Sequence, residues 1–230
     1  EERVSDGYLE MTLDLVQRAG MKVTRNENSI SIPAFQKINL TEIQIEPDVS
    51  SAFVVASFAA GRGNCELQNF PFESMQPDVR FIEFFKKMNV PLERIGNSWV
   101  GHCAREMRPL ETTLKGAPDL FPVLCVLLTR ARGTSVIYDT PQLIYKESDR
   151  LKKTSELLQL MRVKHEVQTS GIRIESLNRH HFEFFEFDPD HDHRLAFAGA
   201  LAKSFGYRMK IKNPEVVNKS FPDFWELIDP

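Results

Sequence analysis

Three aspartates pace this chain and limit what it can fold into. Asp48, Asp119 and Asp192 lie 71 and 73 positions apart, and each stands ahead of a segment of helical length rich in apolar or small residues. The same order of signals runs behind each: helix, strand, helix and then, in the first two cases, a hairpin. In the first unit a helix over 48–60 carries Ala52, Ala56 and Ala60 and stops at Gly61-Arg62-Gly63. A strand over 65–70, a helix over 77–88 with Phe81, Phe84 and Phe85, and a hairpin turning at Gly96-Asn97 follow. The second unit has a helix over 118–131, a strand over 134–138, a helix reaching Leu160 and a hairpin over 163–174. The third has a helix over 192–205, a strand over 207–212 and a helix over 221–228, with no closing hairpin. A fixed period of this kind marks supersecondary units that bury their faces against one another. The chain therefore reads as an α/β (α+β) body with pseudo-threefold symmetry.

Residues 1–45 look like the trailing half of a further unit. A helix over 5–19 puts Leu9, Leu13 and Val16 on one face and stops at Gly20. A strand over 21–24, a turn at 26–28 and the alternation over 29–32 make a hairpin.

The stretch Q-L-I-Y-K-E-S-D-R-L-K-K at 142–153 carries the strongest chemical signal. Pro141 suits a helix start, which would set Lys146 and Arg150, four apart, on one helix face. Cations in a first turn oppose the macrodipole, so with free backbone N–H groups the pair predicts a phosphate or carboxylate site. The plainer alternative is a solvated helix with i,i+4 charges. Lys219 lies 27 positions after Asp192, as Lys146 lies 27 after Asp119, so the two lysines hold equivalent places. Asp48 reads as an N-cap. Asp119, if it shares a cleft with Lys146 and Arg150, becomes a candidate acid–base group.

Other features read more plainly. D-P-D-H-D-H-R at 188–194 alternates carboxylates and imidazoles, but no second cluster has ligand spacing, so His193-Arg194 is expected as an anion-contacting helix start. His180-His181 are expected at the surface, and F-E-F-F-E-F at 182–187 as a sheet strand rather than a base-stacking platform. Cys65, Cys103 and Cys125 form no C-x-x-C pair, which fits a reducing, cytoplasmic setting, with Cys125 in the core.

Charge and hydropathy exclude whole classes. The net charge is -3 with no basic stripe, which argues against a nucleic-acid partner. The longest apolar run, Phe121–Leu128, falls far short of the ~20 residues of a membrane span. No signal peptide is visible, and the first residue is Glu1 rather than Met, as in a processed chain or a piece of something longer.

At this point the residues resemble a known family. K-E-S-D-R-L at 146–151, D-H-R-L-A at 192–196 and N-K-S-F-P-D-F at 218–224 are similar to three ordered signatures of the EPSP synthases. P-D-V-S-S-A at 47–52 and P-D-L-F-P-V-L at 118–124 resemble the family's helix-opening segments, and S-D-G-Y-L-E-M-T-L at 5–13 its Ser-basic-Pro-Tyr helix start. The resemblance implies an inside-out α/β barrel of βαβαββ-type units, two such domains to an enzyme, with the active site between them. It makes residues 46–230 most of the lower domain, lacking the strands supplied by the enzyme's N-terminus, and residues 1–45 the tail of the upper one.

The implied reaction moves the enolpyruvyl group of phosphoenolpyruvate to the 5-hydroxyl of shikimate 3-phosphate, in the shikimate pathway of aromatic amino-acid biosynthesis. Carried over by resemblance, Asp119 is a proton acceptor near the 5-hydroxyl and Glu147 a proton-transfer carboxylate. Ser5, Tyr8, Gln142 and Lys146 would contact shikimate 3-phosphate. Arg150, Arg194 and Lys219 would hold phosphoenolpyruvate, with Lys219 also a proton donor and His193 a supporting partner. No cofactor or metal is implied. Asp6-Gly7 replaces the family's basic-Pro pair, Ile144 stands where many members have Arg, and Gln142 where some use Asn. The family's N-terminal Lys-Ser motif, its phosphoenolpyruvate loop and its Ser-Ser-Gln run have no counterpart, so the isolated chain is expected to be inactive without the missing N-terminal half.

Two other readings stand beside this one: a half-length homologue serving as a binding or assembly module, and the related UDP-N-acetylglucosamine enolpyruvyl transferase, which the K-E-S-D-R run disfavours. The unclosed third unit leaves a sheet edge open, which predicts dimerisation or strand exchange.

Overall fold

The computed structural model describes residues 6–27, 29–176 and 183–228. Helix α1 (Asp6–Arg18) and the short antiparallel pair β1 (Thr24–Arg25) and β2 (Ile30–Ser31) precede the repeating body. The first unit holds α2 (Val49–Gly61), β3 (Asn64–Leu67), α3 (Phe81–Lys87), β4 (Leu92–Ile95) and β5 (Ser98–His102). The second holds β6 (Glu111–Thr113), α4 (Phe121–Leu128), β7 (Thr134–Tyr138), α5 (Arg150–Leu160), β8 (His165–Gln168) and β9 (Gly171–Glu175). The third holds β10 (Phe185–Phe187), α6 (His193–Ser204), β11 (Met209–Ile211) and α7 (Phe224–Ile228).

The sheets carry the repeat. In the second unit β6 runs parallel to β7, which pairs antiparallel with β9, and β9 with β8. The first unit has the antiparallel part of this pattern, β3-β5-β4, and the third has the parallel part, β10-β11. Helices α2, α4 and α6 touch one another in the interior and the sheets lie outside them. Every residue of α4 and the first ten of α6 are buried, which is why neither shows a polar face. Burial of each large side chain here contributes about 1.5–3 kcal/mol. Phe53, Phe81 and Phe85 meet in tilted and edge-on contacts that join α2 to α3. At the far end of α2 a side chain on Gly61 would overlap the Phe205 ring, so glycine lets the two helix ends close up.

Several expectations need correction. Prolines start tight 3-10 turns at Pro77–Arg80, Pro118–Leu120 and Pro141–Tyr145, where helices were expected to begin, and a further one at Pro214–Lys219 ahead of the last helix. The helix expected to run through Lys146 begins only at Arg150, capped by Asp149, and Lys146 itself has extended backbone at φ -85°, ψ -164°. Lys146 and Arg150 are therefore not two rungs of one helix face. The helix expected to run to Ala131 ends at Leu128, and the last one starts at Phe224 instead of Phe221. Strand β6 carries no alternation in its three residues and was not expected. Asp48 caps α2 as expected, accepting from the backbone N–H groups of Ser50 and Ser51. His180-His181 and the start of the Phe-rich run lie outside the described residues, whereas the end of that run forms β10.

A candidate active site at the helix starts

The charged residues singled out above converge where α4, α5 and α6 begin. Arg150 opens α5 and is 1% exposed. Its Nη1 donates to Asp119 Oδ1 at 2.6 Å, its Nε to Asp192 Oδ2 at 2.7 Å, and its Nη2 to Glu147 Oε2 at 2.8 Å. One guanidinium thus ties three segments with directional, charge-assisted bonds that a lysine could not reproduce. Asp192 caps α6 through the Arg194 N–H at 2.9 Å and also accepts from Ser148 Oγ at 3.2 Å.

Asp119 sits in the turn before α4 instead of capping it, which frees its carboxylate for the cations. Besides Arg150, Lys146 Nζ lies 3.3 Å from Oδ1 and Arg194 Nη2 3.4 Å from Oδ2. Burial opposes ionisation of Asp119, but Arg150, Arg194 and Lys146 outweigh it and hold the group at about 2. Glu147 shows the same balance. Burial raises it, while the hydrogen bond from Lys219 at 2.9 Å and the charge of Arg150 bring it to about 2. Both carboxylates are ionised at neutral pH. Lys146 and Lys219 each follow or end a 3-10 turn, as their repeat positions predict, but their partners differ: Lys146 pairs with Asp119 of its own unit and Lys219 with Glu147 of the neighbouring one.

His193 opens α6 beside Arg194. Burial and the Arg194 charge lower it to about 4, so it is neutral at pH 7, with its Nδ1 4.0 Å from Asp192 and without a hydrogen-bond partner. Gln142 lies behind the cluster, 5% exposed, its Nε2 donating to the Lys115 carbonyl at 3.0 Å, and so braces the loop before Asp119. Tyr8 on α1 reaches the same place, its ring centroid 5.9 Å from Lys146 Nζ. Ser5 lies outside the described residues.

Asp192, Ser148, Asp78 and Ser50 belong to this neighbourhood and were not singled out as site residues. For Asp192 a signal existed: it is the repeat equivalent of Asp119. The D-P-D-H run forms a turn in which Asp188 accepts from the Asp190 N–H at 3.0 Å, and Asp190 and His191 take left-handed backbone. Among the described residues no group of three or more His, Cys, Asp or Glu is arranged to hold a metal ion. Among the described residues no helix is long and apolar enough to cross a membrane.

Known proteins match nearly the whole chain in sequence and fold. A family model of EPSP synthase (3-phosphoshikimate 1-carboxyvinyltransferase) matches residues 1–228. The 3-phosphoshikimate 1-carboxyvinyltransferase of Archaeoglobus fulgidus is 30% identical over 230 residues, covering 100% of this chain and 54% of that protein. That of Pyrococcus abyssi is 31% identical over 224 residues, covering 96% and 53%. Among solved structures, EPSP synthase from Acinetobacter baumannii superposes with a TM-score of 0.75 at 26% identity, over 94% of this chain and 53% of that one. The enolpyruvyl transferase NikO from Streptomyces tendae, at 13% identity and a TM-score of 0.72, shares the fold. The chain spans about half the length of the relatives it matches. With the family's signatures gathered at one cluster, this chain belongs to the EPSP synthase family.

Proposed function

We propose that this chain supplies one wall of an enolpyruvyl transfer site, taking shikimate 3-phosphate and phosphoenolpyruvate against a second half of the enzyme. The observation that carries this reading is the convergence of Lys146, Arg150 and Arg194 on the single carboxylate of Asp119, with Lys219 on Glu147 next to it. Two polyanionic substrates need such a set of cations, and hydroxyl activation needs an ionised carboxylate among them.

In this reading Lys146 and Tyr8 face shikimate 3-phosphate, with Ser5 assigned there by the resemblance alone, and Arg194 and Lys219 face phosphoenolpyruvate, while the buried Gln142 and Arg150 support the site from behind. Asp119 accepts the proton of the 5-hydroxyl as its oxygen bonds to the phosphoenolpyruvate C2, while the methylene carbon takes a proton. The tetrahedral intermediate then loses that carbon proton and phosphate, restoring the double bond. Glu147 and Lys219 are the pair that moves protons at the carbon and at the departing phosphate. Arg150 acts mostly by fixing the carboxylates, because all three of its nitrogens are already engaged.

The division into an upper-domain tail over 1–45 and a lower domain over 46–230 belongs to the same proposal. The half-length of the match supports it. The free cysteines, Cys65, Cys103 and Cys125, suit a cytoplasmic setting. A binding or assembly module remains the second reading, favoured by the groove of about 570 Å³ along β11, lined by Met209, Ile211 and Trp225. Mixing the chain with a separately made N-terminal half decides between them. Phosphate release dependent on both halves supports the enzyme reading. Activity of the isolated chain, or none after the halves associate, overturns the shared-site reading.

A further inference from the structure

Asp78 is a buried carboxylate that the site described above leaves without a role. It is 2% exposed and sits in the turn before α3, far in sequence from every signature of the site. Its Oδ2 accepts a hydrogen bond from Ser50 Oγ in the first turn of α2, and its Oδ1 accepts from the Tyr8 hydroxyl at 3.3 Å. A buried carboxylate left unpaired costs several kcal/mol, so both hydroxyls matter to it.

The other side of this contact is α1. Leu13 is the one buried residue of α1, at 8% exposure, so the apolar grip of the helix on the rest of the chain is small. What fastens its first turn is local. A Cβ on Gly7 would stand 2.5 Å from Pro77 Cγ, so the helix approaches the Pro77-Asp78 turn at a distance only glycine allows. The next residue, Tyr8, then delivers its hydroxyl to Asp78 and its ring to within 5.9 Å of Lys146 Nζ. Gly7 on α1 and Pro77 in the turn are thus packed as a pair. Burial and the charges of Asp78 and Asp119, opposed by Arg194, push the Tyr8 phenol above its ordinary range, so it stays a neutral donor.

We propose that Asp78 is a positioning residue: held by Ser50, it fixes the Tyr8 phenol over Lys146 and, with Gly7 seated on Pro77, docks α1 against the anion site. Only the identity of the ligand rests on the function proposed above. The docking rests on the contacts themselves.

Amide hydrogen exchange of residues 6–18 in the 230-residue chain tests it. Tyr8→Phe and Asp78→Ala are expected to speed exchange there by roughly tenfold or more, the worth of a hydrogen bond to a charged group. Asp78→Asn, which keeps an oxygen facing the phenol, is expected to restore most of the protection. Gly7→Ala is expected to loosen the same segment and Pro77→Gly, added to it, to tighten it again. In ultraviolet titration, Asp78→Asn should let one tyrosine ionise at lower pH than in the parent chain.

Unchanged exchange over 6–18 in Tyr8→Phe overturns the proposal. That variant removes one hydroxyl, so it decides the matter even if Asp78→Ala fails to fold. Failure of Pro77→Gly to rescue Gly7→Ala overturns the seating of α1. With the N-terminal half added, Tyr8→Phe should raise KM for shikimate 3-phosphate by roughly tenfold and leave kcat within about twofold, the signature of lost ground-state positioning. Faster exchange with an unchanged KM overturns the positioning role. A parent mixture with no activity at all counts against the proposed function, and the exchange and titration results then decide the docking by themselves.

Discussion

Arg150 Nε donates to Asp192 Oδ2 at 2.7 Å, and the two side chains are 1% and 0% exposed. This buried pair joins the start of α5 to the start of α6 and orients everything around Asp119. Because Arg150 also holds Asp119 and Glu147, the pair sets the geometry of both ionised carboxylates.

Breaking the pair from one side leaves an unpaired buried charge. Arg150→Met and Asp192→Ala are each expected to lower unfolding free energy by about 3–5 kcal/mol, measured by urea denaturation. A double variant removing both should cost less than the sum of the two, since the members share one network. Additive losses would show that the pair is not coupled.

Stability is expected to fall with acid in two stretches. His193 is lowered from 6.5 to about 4, so the unfolded chain binds its proton first, and stability declines as pH drops through that window. Asp119 and Glu147 are lowered to about 2, so their contribution is present above their ordinary values near 4 and is lost as pH falls toward 2. His193→Gln should flatten the upper stretch and leave the lower one, read from thermal midpoints across pH. An upper stretch unaltered by the substitution would assign it to another group.

Lys219 is 56% exposed, and its bond to Glu147 is open to water. Lys219→Ala should therefore change stability by less than about 1 kcal/mol. In the mixed-halves assay the same substitution is expected to lower turnover by about 10²–10⁴, the usual worth of a positioned acid or base. Turnover close to that of the parent chain would remove Lys219 from the proton path.

Among the described residues β11 pairs with β10 alone, and it borders a groove lined by Met209, Ile211 and Trp225 together with Lys203, Lys210 and Glu215. Open edges of this kind pair with other strands. The chain alone is expected to self-associate, with a mass by light scattering that rises with concentration. A strictly monomeric mass at high concentration contradicts the expectation.

Much of this molecule was legible in its sequence because the relevant signals are local. The spacing of Asp48, Asp119 and Asp192 gave the order of units, and the hairpin turn at Gly96, with φ +59°, was readable as glycine before asparagine. The cap made by Asp48 acts within three residues of itself. The identity of the cationic residues at the site was legible as well, through the resemblance. The backbone that carries Lys146 was not, because a 3-10 turn and an α-helix share the same proline start and differ only in what packs beneath them.

The tertiary structure alone decided which charges meet. Arg150 and Asp192 are separated by 42 positions, Lys219 and Glu147 by 72, and Tyr8 and Asp78 by 70. No periodicity within a helix or strand encodes such pairs. They exist because α2, α4 and α6 pack in the interior and bring the chain segments at their starts together. The sequence by itself determined the repeating units and their charged ends. Only that packing made Asp192 the anchor of Arg150 and turned Asp78 from a turn residue into the partner of Tyr8.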